Sequence, residues 1–124
     1  MRALKIIIST IALALFFGGC AYDFIPQEEV IDPDDPNAET ISFSTEIVPI
    51  FASKCASCHT TGETTPDLST DNAYSSLNSS RYVNTSTPGS SLIYTKPTGN
   101  HYATYSDAEA AKILLWIKQG AQDN

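Results

Sequence analysis

Cys55-Ala56-Ser57-Cys58-His59 puts two thiols and an imidazole into one pentapeptide. Its C-x-x-C-H spacing is that of covalent c-type haem attachment. On a helix, Cys55 and Cys58 face the same way, so both sulfurs can form thioethers with the two vinyl groups of one porphyrin. The His59 imidazole then reaches the iron as its fifth ligand. Two other chemistries use the same pair. A redox dithiol of the thioredoxin kind sits in a βαβ context, which this chain lacks. A structural zinc ion takes four ligands; apart from Cys20, the chain offers Cys55, Cys58, His59 and His101 as a Cys2His2 set. That spacing is unlike a finger, and adjacent Cys58 and His59 would strain to share one metal.

The elements that must hold this motif are helical by pattern. Upstream, Ile47, Ile50, Phe51 and Lys54 recur at spacings of three and four, which predicts a helix starting near Ser44 with its apolar side beside the haem. Pro49 is tolerated near the first turns, with Ser44 or Thr45 as cap. Downstream, Ser106-Asp107-Ala108-Glu109 is a capping box. The helix it opens carries Ala110, Ile113, Leu114 and Ile117 on one face with Trp116 alongside, and stops at Gly120. Trp116 is expected to pack against the N-terminal helix or the haem edge rather than relay electrons. A shorter helix is expected over 71–77, a turn at Pro88-Gly89, and a short apolar segment at Leu92, Ile93 and Tyr94. The middle, 60–100, is rich in Ser, Thr, Asn, Gly and Pro and supplies little packing. Residues 41–124 are near the lower size limit for an unassisted core, and a large apolar prosthetic group would make up the deficit.

With 124 residues the chain has room for one domain. A net charge of -7 excludes an electrostatic nucleic-acid binder, which needs clustered Lys and Arg. Three cysteines cannot all pair within one chain. Arg2 and Lys5 precede a short apolar stretch over 6–17, too short for a bilayer-spanning helix of ~20 residues. That start reads as a signal peptide over 1–19. Leu15-Phe16-Phe17-Gly18-Gly19-Cys20 resembles a bacterial lipobox, with Phe17 where Leu is preferred, which implies a lipid-modified Cys20. Two or more acyl chains anchor stably. Loss of 1–19 removes Arg2 and Lys5, leaving five basic and fourteen acidic residues, a net charge of -9. Residues 21–40 hold seven acids, three prolines and no Lys or Arg, so 20–40 is expected to be the lipidated cysteine followed by a solvated tether. The haem domain follows over 41–124.

Taken in order, Ile47-Val48-Pro49-Ile50-Phe51, the Cys55–His59 motif, Asp67-Leu68, the run from Pro88-Gly89 to Tyr94, and Ile113-Leu114-Leu115-Trp116-Ile117-Lys118-Gln119-Gly120-Ala121 resemble a small class I cytochrome c domain. The resemblance spans about 43–121 and is to single-haem domains of the planctomycete and Bacteroidetes type. It implies an all-α fold with the first and last helices crossing over the haem and a loop-rich middle. It also implies one haem c held by Cys55, Cys58 and His59, and a role in electron transfer. The family usually places a Met before the last helix as sixth iron ligand. Here the only Met is Met1, and Gly99-Asn100-His101-Tyr102 stands at that place. His101 is therefore expected as the sixth ligand of a bis-His haem, with Gly99 lending backbone freedom to aim it. Lys96, Tyr102 or an open site are the alternatives. Arg81 is a candidate partner for a haem propionate. Two imidazoles and negative protein charge both favour ferric iron, so the potential is expected below that of a His/Met cytochrome.

The chain thus reads as a non-enzymatic, membrane-anchored c-type cytochrome carrying single electrons among redox partner proteins. It is expected in the bacterial cell envelope, lipid-anchored, with the haem domain on the periplasmic or extracellular side and no nucleic-acid partner. The alternative is an open-site haem protein acting as a peroxidase or small-gas binder.

Overall fold

The computed structural model describes residues 31–124. The expected signal peptide, the lipidated Cys20 and the first part of the tether lie outside the described residues. Within them the chain is helical, with no strand.

A π-helical turn, Phe43–Ile47, runs directly into α1, Val48–Lys54. The cap is Ser42, two residues before the expected Ser44. Its hydroxyl accepts from the Thr45 amide at 3.3 Å, and the Glu46 carboxylate accepts from the Ser42 amide at 2.9 Å. This is a capping box widened by one residue, which suits the wider ring of a π turn. Pro49 falls in the first turn of α1, where a missing N–H leaves nothing unsatisfied. The helix ends at Lys54, and the amides of Cys55 and Ala56 both donate to the Phe51 carbonyl, at 2.8 and 2.9 Å. The thiol motif therefore occupies the tight turns just past the helix and not the helix itself, as the sequence reading had it. Bonds from the Cys58 and His59 amides to the Cys55 carbonyl, 3.1 and 2.9 Å, hold those turns.

Three further helices follow: α2, Ala73–Leu77, shorter than the expected 71–77; α3, Leu92–Thr95, led in by a 3-10 turn at Pro88–Ser90; and α4, Asp107–Lys118. The capping box that opens α4 is complete. The Ser106 hydroxyl accepts from the Glu109 amide at 3.2 Å, and the Glu109 carboxylate accepts from the Ser106 amide at 2.7 Å. Past its end, Gly120 takes the left-handed φ of 99° that lets the chain turn away.

The core joins the two ends of the domain. Trp116 is 1% exposed, its ring 5.2 Å from that of Phe43, and its indole N–H donates to the Gln122 carbonyl at 3.0 Å. Phe43 in turn meets Tyr74 edge-on at 5.2 Å. Trp116 is thus a packing residue against the N-terminal stretch, with Ile47, Phe51, Ile113 and Ile117 buried around it. Each such apolar side chain contributes about 1.5–3 kcal/mol by burial. Two ion pairs tie the first helical stretch to α4: Glu46 with Lys112 at 3.3 Å, and Lys54 with Glu109 at 2.8 Å. Burial pushes the Glu109 carboxyl up, but Lys54 and the Ser106 amide outweigh it and hold the group below its ordinary value.

The buried face of α4 differs from the expected one: Leu115 is buried and Leu114 only partly. The reason is the segment 31–40, expected as part of a free tether. Lys118 donates to the Pro33 carbonyl at 3.2 Å and pairs with Asp34, while the Gln119 amide donates to the Glu39 carbonyl at 2.9 Å. Ile31 and Ala38 pack against the core and line a hollow shared with Leu115. Folding this stretch back shields a side chain of α4 that the sequence pattern alone leaves outside.

Candidate functional site

The local backbone past α1 aims His59. The chain turns back so that the Leu68 amide donates to the His59 carbonyl at 2.8 Å, and the His59 Nδ1 lies 3.0 Å from the Pro66 carbonyl. A carbonyl only accepts, so Nδ1 carries the proton and Nε2 presents its lone pair. His101 repeats the arrangement from the loop before α4. Its Nδ1 lies 3.1 Å from the Ala103 carbonyl, which again leaves Nε2 as the free donor atom. The two ring centroids lie 6.1 Å apart, with the planes 35° from parallel.

Both histidines line one cavity of about 370 Å3, together with Cys55. Leu68, Leu92 and Ile93 give that cavity an apolar wall, and Arg81 and Lys96 also reach it. Cys55 is 6% exposed, whereas Cys58 is exposed and outside the cavity lining. Burial pushes the Cys55 thiol up to about 11, reinforced by Glu109 and opposed by Lys54. It is a neutral thiol near pH 7, the reverse of the lowered pKa that a redox dithiol requires. No three His, Cys, Asp or Glu side chains converge as on a metal ion among the described residues, so the Cys2His2 zinc set is not assembled. Cys20 lies outside the described residues.

The loop bearing His101 is held from three sides. Tyr105 donates to the Ile93 carbonyl at 3.1 Å, and its burial raises its pKa and keeps it protonated. Lys54 donates to the Thr104 carbonyl at 3.3 Å. Gly99 contributes through close approach, since a Cβ there would lie 3.0 Å from the Thr95 carbonyl oxygen. The backbone freedom expected of Gly99 is not used as a left-handed φ: among described glycines only Gly62 and Gly120 have positive φ. Tyr102, one alternative to His101, is 98% exposed and absent from the cavity lining. The Arg81 guanidinium sits 5.8 Å over the Tyr82 ring, which leaves it at the cavity without an ion-pair partner among the salt bridges of the described residues. The sequence reading missed Tyr105 and the two carbonyls that fix the imidazoles, because backbone acceptors carry no residue-type signal.

These features can be tested against a haem. An imidazole nitrogen about 2.0 Å from a metal, as in zinc sites, puts its ring centroid about 3 Å from that metal, so two imidazoles on opposite sides stand about 6 Å apart. The observed 6.1 Å matches. Nδ1–H bonds to carbonyls are the outer support that metal-ligating imidazoles normally have. The cavity that both rings line has an apolar wall to receive a porphyrin, and Cys55, though not Cys58, lies in its lining. The residues fit the group. A second hollow of about 320 Å3, between Tyr74, Trp116 and the 78–86 loop, is lined by no Cys or His. No family model, curated protein or solved structure matches the chain. No helix of the described residues is long and apolar enough to cross a membrane.

Proposed function

We propose that the domain is a cytochrome c that holds one haem c and passes single electrons between partner proteins. The observation that carries this reading is that His59 and His101, ring centroids 6.1 Å apart, line one cavity with Cys55 of the C-x-x-C-H motif. A haem held there supplies one-electron chemistry at iron. Cys55 and Cys58 would hold it through thioethers, and His59 and His101 would be the imidazole ligands of its iron. The joining of the first helical stretch to α4 through Phe43 and Trp116 and by two ion pairs supports reading them as the crossing helices of a class I fold. Arg81 and Lys96 are the cations at the cavity and suit the haem carboxylates. Two imidazole donors and a net charge of -7 favour the oxidised state.

With both imidazoles on the iron, no position would be left for a substrate, and this separates a carrier from a peroxidase or gas binder. Carbon monoxide added to the reduced wild-type protein is expected to leave its absorption spectrum unchanged. Prompt formation of a carbon monoxide complex would move the assignment to the open-site reading.

The envelope location rests on Cys20. A cleaved, acylated chain buries its acyl groups apolarly, so it should partition into detergent and resist release by salt. Cys20→Ser should leave the chain unprocessed or in the aqueous phase. An intact mass with unmodified Cys20 contradicts the anchor and leaves the haem reading untouched.

A further inference from the structure

We propose that Asp67 is a positioning residue for His59, an inference that rests on the haem-holding role proposed above. Asp67 stands between the two groups that bond to His59. The Pro66 carbonyl, one residue before it, fixes the imidazole through Nδ1 at 3.0 Å, and the Leu68 amide, one residue after it, fixes the His59 backbone carbonyl at 2.8 Å. Together these bonds close the loop 59–68 on the ligand. What keeps the closing side in place is the Asp67 carboxylate.

Its two oxygens reach to both sides of that loop. Oδ1 accepts from the amide of Ser69 at 3.0 Å and from its hydroxyl at 2.6 Å. Oδ2 accepts from the Thr61 hydroxyl at 2.7 Å and from the Asn72 side-chain amide at 3.0 Å. Thr61 lies two residues past His59, and Asn72 is the residue from which α2 starts. Asp67 thus links the outgoing strand of the loop to the first turn of the next helix, with the Pro66 carbonyl one peptide away. Four donors on one carboxylate, the Ser69 hydroxyl foremost and Thr61 next, lower its pKa to about 2, so the acceptor stays ionised over the whole physiological range.

The chemical consequence passes through one hydrogen bond. An Nδ1–H held on a carbonyl makes the opposite nitrogen a stronger donor and fixes the ring plane. Without the Asp67 anchor the Pro66 carbonyl is free to drift, the Nδ1–H bond weakens, and His59 favours ferric iron less.

The test uses the matured holoprotein as wild type, Asp67→Ala, Asp67→Asn and Gln119→Ala. Gln119 joins α4 to the Ile41 amide and the Glu39 carbonyl, both at 2.9 Å and away from this loop, and so controls for general loosening. In the reduced protein, the His59 Nδ1 proton of Asp67→Ala should exchange with solvent on the order of tenfold faster than in wild type. Its midpoint potential should move upward. Asp67→Asn keeps an acceptor toward Ser69 and should fall between the two, while Gln119→Ala should change neither quantity. Should Asp67→Ala fail to fold, Asn72→Ala, which removes only the bonds from that side chain, carries the same expectation at reduced size. Unchanged exchange and potential in the Asp67 and Asn72 variants, or an equal response in Gln119→Ala, overturns the positioning role while haem binding stands. Absence of covalent haem from the wild-type protein overturns the parent reading, and this one with it.

Discussion

The Cys55→Ala, Cys58→Ala double variant, produced in a host with c-type maturation, is expected to lose all of its haem to acid acetone, whereas the wild-type protein keeps all of it. Acid protonates imidazole and breaks a coordinate bond, but it does not cleave a thioether. The two thiols are free in the fold, Cys55 buried in the cavity lining and Cys58 exposed, so neither is committed to a disulfide. Either single variant keeps one thioether and should retain haem through the same extraction. The double variant should also be less stable. A ligand bound only by the folded state stabilises it, and without a covalent link the apolar wall of Leu68, Leu92 and Ile93 is covered only as far as coordination alone retains the group. Folded, haem-free wild-type protein from a maturation-competent host contradicts the assignment.

The second large effect is expected at the distal position. His101→Ala should convert the ferric protein from low spin to high spin and make the ferrous protein bind carbon monoxide, since the alternative Tyr102 is fully exposed and outside the cavity lining. The loop should survive the change, because Tyr105, Lys54 and the Ser106 cap hold it independently of the ring. His101→Met should raise the midpoint potential if its sulfur reaches the iron, as thioether ligation favours the reduced state. Visible absorption of the two variants, with and without carbon monoxide, checks both statements. A wild-type spectrum already high in spin and unmoved by His101→Ala removes the distal assignment.

Much of this site was legible in the sequence because its main components have type-specific signatures. The C-x-x-C-H spacing, the capping box at Ser106 and Glu109, and a lone second histidine before the last helix all point to residues the fold brings near one another. The cap at Ser42 was hidden because its reciprocal partner, Glu46, is four residues away and not the usual three, a spacing that only a π turn satisfies. The back-folded segment 31–40 was hidden by composition. Its acids and prolines suggest a solvated tether, while contacts from Lys118 and Gln119 and the packing of Ile31 and Ala38 on the core lay it along α4. Exposure of Cys58 beside a buried Cys55 follows from helix termination at Lys54, which periodicity places only to within a turn. Asp67 enters the sequence pattern only as part of the Asp67-Leu68 match, since its role depends on which carbonyl lies next to it.

Electron paramagnetic resonance of the ferric wild-type protein, taken from a maturation-competent host, addresses the central claim most directly, because one spectrum reports both the presence of haem and the ligands on its two sides. Two imidazole nitrogens from His59 and His101 predict a single low-spin ferric signal of the bis-imidazole type. A high-spin ferric signal, or no haem signal from folded protein, would contradict it.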